Sequence, residues 1–241
     1  MKSKLLLLAS FVLVCFKFSF SQTQFGVQVS GLSASTKIEE DGVSYPGKKN
    51  LIGYKIGGIA KIGLTETFAF MPELNFISSG GKFSYSETQS IAGYYMTTNN
   101  EISMKPTFLE IPLNFAYHKV LSNDNSFFVG LGPVLSLGMG GKYTVDNSST
   151  TNIPGSTSMS SSTSGNFKFD GKDNATATDD NFHLKALDFG GNVFVGYKLA
   201  NGFFVKASYK IGFSNLMPDD NSSYKVNYFG FGVGYFFGSR K

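Results

Sequence analysis

Apolar and polar residues alternate along most of this chain with a period of two, which only an extended strand sorts onto two faces. At 203–213 the apolar residues alternate with small or polar ones, among them Lys206, Ser208 and Lys210. A soluble core would carry Leu or Val where these lysines stand, so the strand is inverted, apolar outside and polar inside. The pattern therefore predicts a wall between lipid and a polar interior.

The alternation recurs in eight segments that are joined by connections of two lengths. The predicted strands are 25–32, 54–64, 68–76, 108–118, 127–139, 187–198, 203–213 and 229–237. Four long polar loops alternate with three short turns, the loops at 33–50, 78–102, 144–182 and 214–224 and the turns at 65–67, 121–126 and 199–202. Outer-membrane barrels have an even strand number, short periplasmic turns and long external loops. We therefore predict an all-β fold, an eight-stranded antiparallel up-and-down transmembrane β-barrel, with a soluble periplasmic β-protein as the alternative.

The longest of these loops, 144–182, loses the periodicity and is rich in Ser, Thr, Asn and Asp. Such a composition buries too little apolar surface to offset the entropy of ordering it. We predict a solvated, mobile segment on the outside of the barrel.

The start of the chain has the features of an export signal. Two lysines precede an uncharged run at 5–16, and small residues follow it at the spacing of a cleavage site. Lys17 leaves the run shorter than the roughly 18 residues that a membrane-spanning helix requires. We predict a signal peptide at 1–21 and an outer-membrane β-barrel domain at 22–241.

Net charge and cysteine content bear on the expected partners and on the source of stability. Removing the three lysines of the predicted signal lowers the formal charge from +4 to +1, so the basic pI does not indicate nucleic-acid binding. The single cysteine, Cys15, lies in the signal, so the exported domain has no disulfide and depends on other interactions for its stability.

Aromatic residues gather near the ends of the predicted strands, which is typical of the two interfacial girdles of a membrane barrel. They are Phe68, Tyr117, Phe127, Tyr197, Phe203 and Tyr235 on the turn side and Tyr54, Tyr143, Phe213 and Tyr228 on the loop side.

Four segments carry a family resemblance: LEIPL at 109–113, FVGLGP at 128–133, the strand pair at 186–213 and the glycine-alternating end at 228–237. With these segments the chain resembles the porin-like outer-membrane β-barrel family of Gram-negative bacteria, which includes PorT-type proteins. The resemblance implies a place in the outer membrane and an accessory role in protein secretion across it. Members usually end on an aromatic residue that the barrel-assembly machinery reads, whereas here four residues follow Phe237.

Charged residues at inward positions are the candidate site. They are Lys55, Lys61, Glu73, Glu110, Asp188, Lys198, Lys206 and Lys210. An isolated charge in a narrow barrel costs several kcal/mol to desolvate, so we predict a paired, structural lumen network that plugs the barrel. The alternative is a charge-selective pore lining, which the many inward glycines favour because they leave free space.

Catalytic residues are few. A hydrolase on such a barrel needs a histidine beside a serine and an acid, and the chain has only His118 and His183. His183 has Asp179 and Asp180 nearby in sequence, but no nucleophile motif accompanies them. We predict that the protein is not an enzyme, and a lipid-modifying enzyme is the weaker alternative.

Metal and nucleotide motifs are also missing from the sequence. Asp173, Asp179, Asp180 and the pair at 219–220 lack the spacing of a calcium loop. The stretch GMGGK at 138–142 is followed by tyrosine and by no helical pattern, so it is not a P-loop. We therefore expect neither a metal site nor a cofactor.

These features predict an integral outer-membrane scaffold that contacts an unknown protein or surface ligand through its external loops, above all 144–182. Its other expected partners are outer-membrane lipid and, during insertion, the barrel-assembly machinery, and nucleic acid is not among them. A narrow passive channel for small solutes is the alternative function.

Overall fold

The computed structural model describes residues 23–40, 43–44, 47–174, 178–219 and 221–238, so the predicted signal peptide at 1–21 lies outside the described residues. The strands, numbered in chain order, are β1 (Thr23–Glu40), β2 (Val43–Ser44), β3 (Lys48–Gly63), β4 (Phe68–Ser78), β5 (Gly81–Ile91), β6 (Tyr94–Val120), β7 (Ser126–Thr151), β8 (Met159–Lys168), β9 (Phe182–His183), β10 (Leu187–Lys198), β11 (Phe203–Gly212) and β12 (Ser222–Phe237). A 3₁₀ turn at Ser122–Asp124 joins β6 to β7.

Eight of these strands close into a ring of antiparallel pairs. The order around the ring is β1, β3, β4, β6, β7, β10, β11 and β12, and β12 pairs again with β1. Successive ring strands are neighbours, as in an up-and-down barrel. The predicted eight-stranded antiparallel barrel is confirmed.

The two faces of the ring wall differ as the alternation predicts. On β12, Phe229, Phe231 and Val233 are 50%, 58% and 48% exposed, whereas Phe236 points inward and is 1% exposed. The outward apolar residues of this strand extend over 229–237, which matches the roughly 9–11 tilted residues that cross a bilayer core. The outward apolar band is therefore the lipid-facing surface.

Aromatic residues mark the end of the ring that carries the short turns and both described termini, here called the turn end. Phe68 contacts Tyr117 with ring centroids 5.6 Å apart, and Phe203 contacts Tyr235 at 5.0 Å. These pairs stand on the outer face, at the height where amphipathic rings meet a headgroup layer.

The outer girdle differs from the prediction at two positions. Tyr228 is only 2% exposed, because it has the inward parity of β12. The ladder between β6 and β7 shifts its register at Thr107, and beyond that bulge Tyr143 turns inward and packs on Phe167. The assignment of these two tyrosines to the girdle is therefore wrong.

Two of the predicted long loops are strands. Residues 78–102 form β5 and the first part of β6, and within 144–182 strand β7 continues to Thr151 before β8 returns. Side by side, β5, β6, β7 and β8 continue the wall beyond the apolar band, and we call this extension the outer sheet (81–91, 94–104, 142–151 and 159–168). Its strands are polar on most positions, so they lack the apolar period that predicts a strand.

The other two long connections also contain more strand than predicted. In 33–50, β1 continues to Glu40 and β3 begins at Lys48, and in 214–224, β12 begins at Ser222. Within the described residues, no helix is long and apolar enough to cross a membrane.

Candidate functional site

Side chains fill the lumen of the ring in three layers, described here from the turn end outward. The first is apolar, and we call it the turn-end layer. Its members are Ile59, Ala69, Met71, Ala116, Phe128, Phe194, Phe204 and Phe236. The ring of Phe128 lies 6.0 Å from that of Phe194 and 6.2 Å from that of Phe204, and Phe204 lies 4.8 Å from Phe236. Packed aromatic rings therefore occupy this end of the lumen.

Inward glycines make room for these rings. A Cβ added at Gly196 would collide with the Phe128 ring, and one added at Gly234 would collide with the Phe204 ring. The interior is thus packed by matching a glycine on one strand with a phenylalanine on its neighbour. At Gly196 and Gly234 the space beside the glycine is therefore filled by a phenylalanine ring.

The second layer, which we call the ionic layer, contains two clusters. In the first, Lys206 Nζ donates to the Glu73 carboxylate at 2.6 Å. Gln28 donates to the same carboxylate at 2.6 Å, and the amides of Asn75 and Asn114 donate at 3.1 Å. Four donors, from β1, β4, β6 and β11, therefore surround a carboxylate that is 3% exposed.

In the second cluster one ammonium lies between two carboxylates. Lys210 Nζ donates to Asp188 at 2.6 Å and to Ser136 at 3.2 Å, and it lies 3.7 Å from Glu110. The Tyr228 hydroxyl donates to Glu110 at 2.6 Å. Each of these side chains is buried.

Lys55 adds a third buried cation to the layer. Its Nζ lies 5.6 Å from the centroid of the Tyr228 ring, a distance at which the negative face of the ring attracts a cation. Three buried lysines and three buried carboxylates thus share the layer, and their formal charges cancel.

Six of the eight predicted lumen residues meet in this layer, and two do not. Lys61 and Lys198 lie near one another at the turn end, and Lys61 also lies near His118. Lys61 forms no ion pair with a carboxylate of the described residues.

The carboxylates of the ionic layer have four further partners among the described residues. Gln28, Asn75, Asn114 and Tyr228 hold its carboxylates, and none of them is among the predicted site residues. Each has the inward parity of its strand, so the alternation that located the lysines could have located them.

The third layer is apolar again and closes the other end of the lumen, and we call it the mouth layer. Its buried members are Leu32, Ala34, Ile77, Phe83, Met104, Phe108, Phe167, Leu184, Leu216, Tyr224, Val226 and Tyr228. Phe167, Leu184 and Leu216 come from outside the ring strands and are 3%, 0% and 0% exposed. The layer thus depends on segments that fold back over the barrel.

The main such segment is the strap, residues 166–174 and 178–184. Phe167 pairs with Phe182 in a short parallel ladder, and the N–H of Leu184 donates to the carbonyl of Lys168 at 2.8 Å. Phe169 packs on Phe108 with ring centroids 5.4 Å apart. The prediction of a solvated loop is wrong here, because a few apolar residues among many polar ones anchor the segment in the mouth.

A buried histidine holds the strap together. The side chain of His183 is 1% exposed, with Nδ1 at 2.7 Å from Asp170 and Nε2 at 2.8 Å from Asp179. Lys168 Nζ donates to Asp179 at 2.5 Å. We call these four residues the clamp. The backbone N–H and carbonyl of His183 both bond to the Asn174 amide, at 2.7 and 2.9 Å.

The geometry of the clamp favours a charged imidazole. A neutral ring has one N–H, whereas both ring nitrogens of His183 lie within 2.8 Å of a carboxylate oxygen. The hydrogen bond to Asp170, followed by that to Asp179, raises the pKa of His183 above its ordinary 6.5. The pKa of Asp170 falls below 3.8 chiefly because of His183, and that of Asp179 falls chiefly because of Lys168 and then His183.

This arrangement bears on the candidate catalytic residues. In a hydrolase triad one nitrogen of the histidine must accept the proton of the serine, and both nitrogens of His183 face carboxylates instead. Asp180, the other acidic residue near His183 in sequence, contacts the rest of the protein through its backbone carbonyl. That carbonyl accepts a hydrogen bond from the Tyr143 hydroxyl at 2.8 Å. Among the described residues, which leave out Asp220, no three acidic, histidine or cysteine side chains form a group suited to a metal ion.

The fold and the lumen together define a class of protein. A ring of eight strands with an apolar band outside and packed side chains inside is a transmembrane β-barrel. The sequence model of the family described as outer membrane protein beta-barrel domain matches residues 14–217, and the chain belongs to that family. The protein therefore resides in the outer membrane of a Gram-negative bacterium.

No curated protein sequence is significantly similar to this chain. Among solved structures, the chain is similar to Ail, the attachment invasion locus protein of Yersinia pestis, in complex with the heparin analogue sucrose octasulfate, at 14% identity and a TM-score of 0.36 over 89% of this chain and 99% of that one. It is similar to Neisserial surface protein A at 13% identity and a TM-score of 0.38, over 88% and 96%. For the N-terminal β-barrel domain of Pseudomonas aeruginosa OprF the values are 15% and 0.25, over 90% and 100%.

Proposed function

We propose that this protein is a sealed outer-membrane barrel that serves as a membrane-embedded scaffold and presents its outer sheet to a partner or ligand outside the cell. The observation that carries the proposal is the filling of the lumen by three successive layers. An eight-stranded ring is about wide enough for side chains alone. Function through the lumen would need a path between these layers.

The charge balance of the ionic layer supports a structural role for it. A charge-selective pore presents a ring of one sign at its constriction. Here three lysines and three carboxylates are buried together, so neither sign is in excess. The structural role is proposed for these six residues, and Lys61 and Lys198 lie outside the layer.

The outer sheet supports a contact role. Paired strands hold its side chains in fixed positions, which lowers the entropy that a partner has to remove on binding. The sheet carries a polar groove of about 480 Å³, lined among others by Asn99, Glu101, Asp146 and Ser160. Amide, hydroxyl and carboxylate groups suit a polar ligand or a polar protein surface.

The resemblance to PorT-type proteins extends the proposal to an accessory role in protein secretion across the outer membrane. We would delete the gene and measure secreted protein in the medium. Full secretion by the deletion strain would remove this extension and leave the scaffold proposal untouched.

We also propose that the protein is not an enzyme, because both ring nitrogens of His183 form hydrogen bonds to carboxylates. The variant His183→Ala tests this point on lipid substrates. An activity of the parent protein that the variant lacks would contradict it.

The first experiment is conductance of the refolded mature protein in a planar bilayer, with a general porin as positive control. We expect no discrete steps from demonstrably inserted protein. Reproducible steps that change in size with Lys206→Met would support the narrow channel instead.

A truncation separates the scaffold from the channel. Replacing residues 84–100, the tip of the β5–β6 hairpin, by a two-residue turn removes much of the outer sheet and retains the strap. A partner identified by surface cross-linking of the full-length protein should be lost from this variant. Retention of that partner would place the contact elsewhere.

A further inference from the structure

Two lysines lie directly opposite one another on the outer face of the wall, above its apolar band. Lys105 of β6 and Lys142 of β7 are partners in the antiparallel ladder, and both are exposed. Like charges at such positions destabilise a strand pair. Within the described part of the chain, neither ammonium forms an ion pair. The repulsion is therefore not offset by these parts of the protein.

The height of this pair above the apolar band is informative. Leu109, Leu137 and Leu187 form one outward row across three neighbouring strands, and Lys105 stands four residues beyond Leu109. Four residues rise about 13 Å along a strand, or about 10 Å along the membrane normal for a strand tilted by roughly 40°. That height is the headgroup region, and a lysine stem also reaches several ångströms toward it.

A third lysine completes the cluster. Lys185 is exposed and precedes β10 by two residues, with the outward parity of Leu187. The N–H of Gly138 donates to the carbonyl of Ala186 at 2.8 Å, which places this segment beside β7. Three ammonium groups from neighbouring segments therefore share one sector of the rim.

A second pair of opposed lysines lies on the opposite side of the ring. Lys225 of β12 is the ladder partner of Lys37 of β1, four residues beyond the outward Phe229. The junction between β12 and β1 lies across the eight-stranded ring from the junction between β6 and β7. Two opposed lysine pairs thus lie four residues beyond an outward apolar residue, on opposite sides of the barrel.

Negatively charged residues of the same sector lie farther from the membrane. Glu101 and Asp146 are ladder partners on the same face as Lys105 and Lys142, four residues beyond each. Neither carboxylate forms an ion pair with Lys105 or Lys142, and Glu101 is paired with Lys82 at 2.5 Å. Lysines, and not carboxylates, are therefore the charges nearest the apolar band in this sector.

We infer that Lys105, Lys142 and Lys185 bind the phosphate groups of the glycolipid in the outer leaflet, that is, of lipopolysaccharide. An ammonium binds phosphate as a point charge through several donors. A phosphate between Lys105 and Lys142 converts their repulsion into two attractions. The inference rests on the location in the outer membrane and not on the proposed scaffold function.

The test is lipopolysaccharide binding to the folded protein in a neutral maltoside detergent, measured by native mass spectrometry. Each lysine near an anionic lipid surface contributes roughly a factor of five in affinity, so Lys105→Gln/Lys142→Gln should bind about 25-fold more weakly. Lys172→Gln is the matched control, because this exposed lysine belongs to the strap over the lumen. Lys105→Arg/Lys142→Arg should retain binding.

A second readout separates charge repulsion from loss of fold. Without lipopolysaccharide, Lys142→Gln should melt at the same or a higher temperature than the parent, because the opposed charge is gone. With lipopolysaccharide the order should reverse, since the parent gains more from the lipid. A variant that melts lower under both conditions would indicate a structural role for Lys142 and overturn the inference.

Two further arms identify the source of the phosphate. Lipopolysaccharide stripped of its phosphates should bind the parent as weakly as it binds the double variant. Equal binding of native and stripped lipid would overturn the inference. Competition by millimolar inorganic phosphate as effective as that by the lipid would overturn the assignment to a membrane component.

Discussion

The ionic layer and the clamp are both built around buried cations, yet they differ in sequence separation and in contact with water. Glu73 and Lys206 are 133 residues apart, whereas Asp170 and Asp179 lie 13 and 4 residues from His183. The side chains of Glu73 and Lys206 are 1% and 2% exposed, but those of Asp170 and Asp179 are 35% and 38% exposed. One cluster therefore needs the closed ring, and the other can form or break while the ring stays intact.

Because of this difference, losing one charged partner has different consequences in the two clusters. A charge left alone in the ionic layer cannot reach water without opening the barrel, so its cost falls on global stability. A charge left alone in the clamp is solvated at the rim, so its loss releases only the strap.

Removing the ammonium from the first cluster should give the largest loss. Lys206→Met leaves the Glu73 carboxylate buried beside three amides without the ammonium that donates to it. We expect the free energy of unfolding to fall by about 3–5 kcal/mol. Guanidinium unfolding in lipid vesicles measures it.

Lys119→Met is the matched control for this variant, because Lys119 is an exposed lysine of the ring strand β6. It should lose little, since an exposed lysine forms no buried pair. Adding Glu73→Gln to Lys206→Met should recover part of the stability. Equal losses for Lys206→Met and Lys119→Met would contradict the contrast between the two clusters.

Removing one neutral donor from the ionic layer should give a smaller global loss. Tyr228→Phe deletes the hydroxyl that donates to Glu110 at 2.6 Å and keeps the ring beside Lys55. Leaving the Glu110 oxygen without this partner should cost about 1–3 kcal/mol in the same unfolding assay. Tyr209→Phe, on the outward face of β11 and 43% exposed, should cost less. If both substitutions cost the same, the buried hydrogen bond contributes nothing.

The contrast also explains which parts of the fold and of the ionic layer could be predicted from the sequence alone. The barrel could be predicted because its wall separates lipid from a polar interior. Each strand therefore alternates apolar and polar residues with a period of two. Lys55, Glu73, Glu110 and Lys206 followed from the same parity. Their pairing did not follow, because partners up to 133 residues apart depend on the ladder register.

The alternation of apolar and polar residues could not predict the strap or the outer sheet. Serine and threonine strands such as β8 are polar on both faces, and their pairing with β7 supplies what composition lacks. Phe167 and Leu184 anchor the strap as isolated apolar residues in a polar segment, without any period. The rule that polar segments stay solvated fails where a barrel mouth offers a ready apolar surface.

Breaking the clamp should leave the ring intact. In His183→Gln the side chain cannot carry a charge to both Asp170 and Asp179, so the strap should open more often. Hydrogen exchange should accelerate at the amides of Gly171 and Leu184, which bond within the strap. Amides of the ring strands should keep their protection.

Lys172→Gln is the control for this variant. Its ammonium lies 3.7 Å from Asp170 and is 68% exposed, so it contributes little to the clamp. Loss of protection throughout the ring in His183→Gln would show that the strap is part of the global unfolding unit.

The smallest effect is the response of the strap to pH in the unmodified protein. Because the pKa of His183 is raised in the folded state, its contribution is complete below the ordinary value of 6.5 and is lost as the pH rises through the raised pKa. The pKa values of Asp170 and Asp179 are lowered, so their contribution is complete above 3.8 and is lost as the pH falls through the lowered values. Protection of the Leu184 amide, corrected for intrinsic exchange, should therefore be greatest in mildly acidic solution between these limits. The decline on the alkaline side should vanish in His183→Gln, and amides of the ring beside Glu73 should show no such decline. An alkaline decline that persists in His183→Gln would mean that another group, and not the clamp, controls the strap.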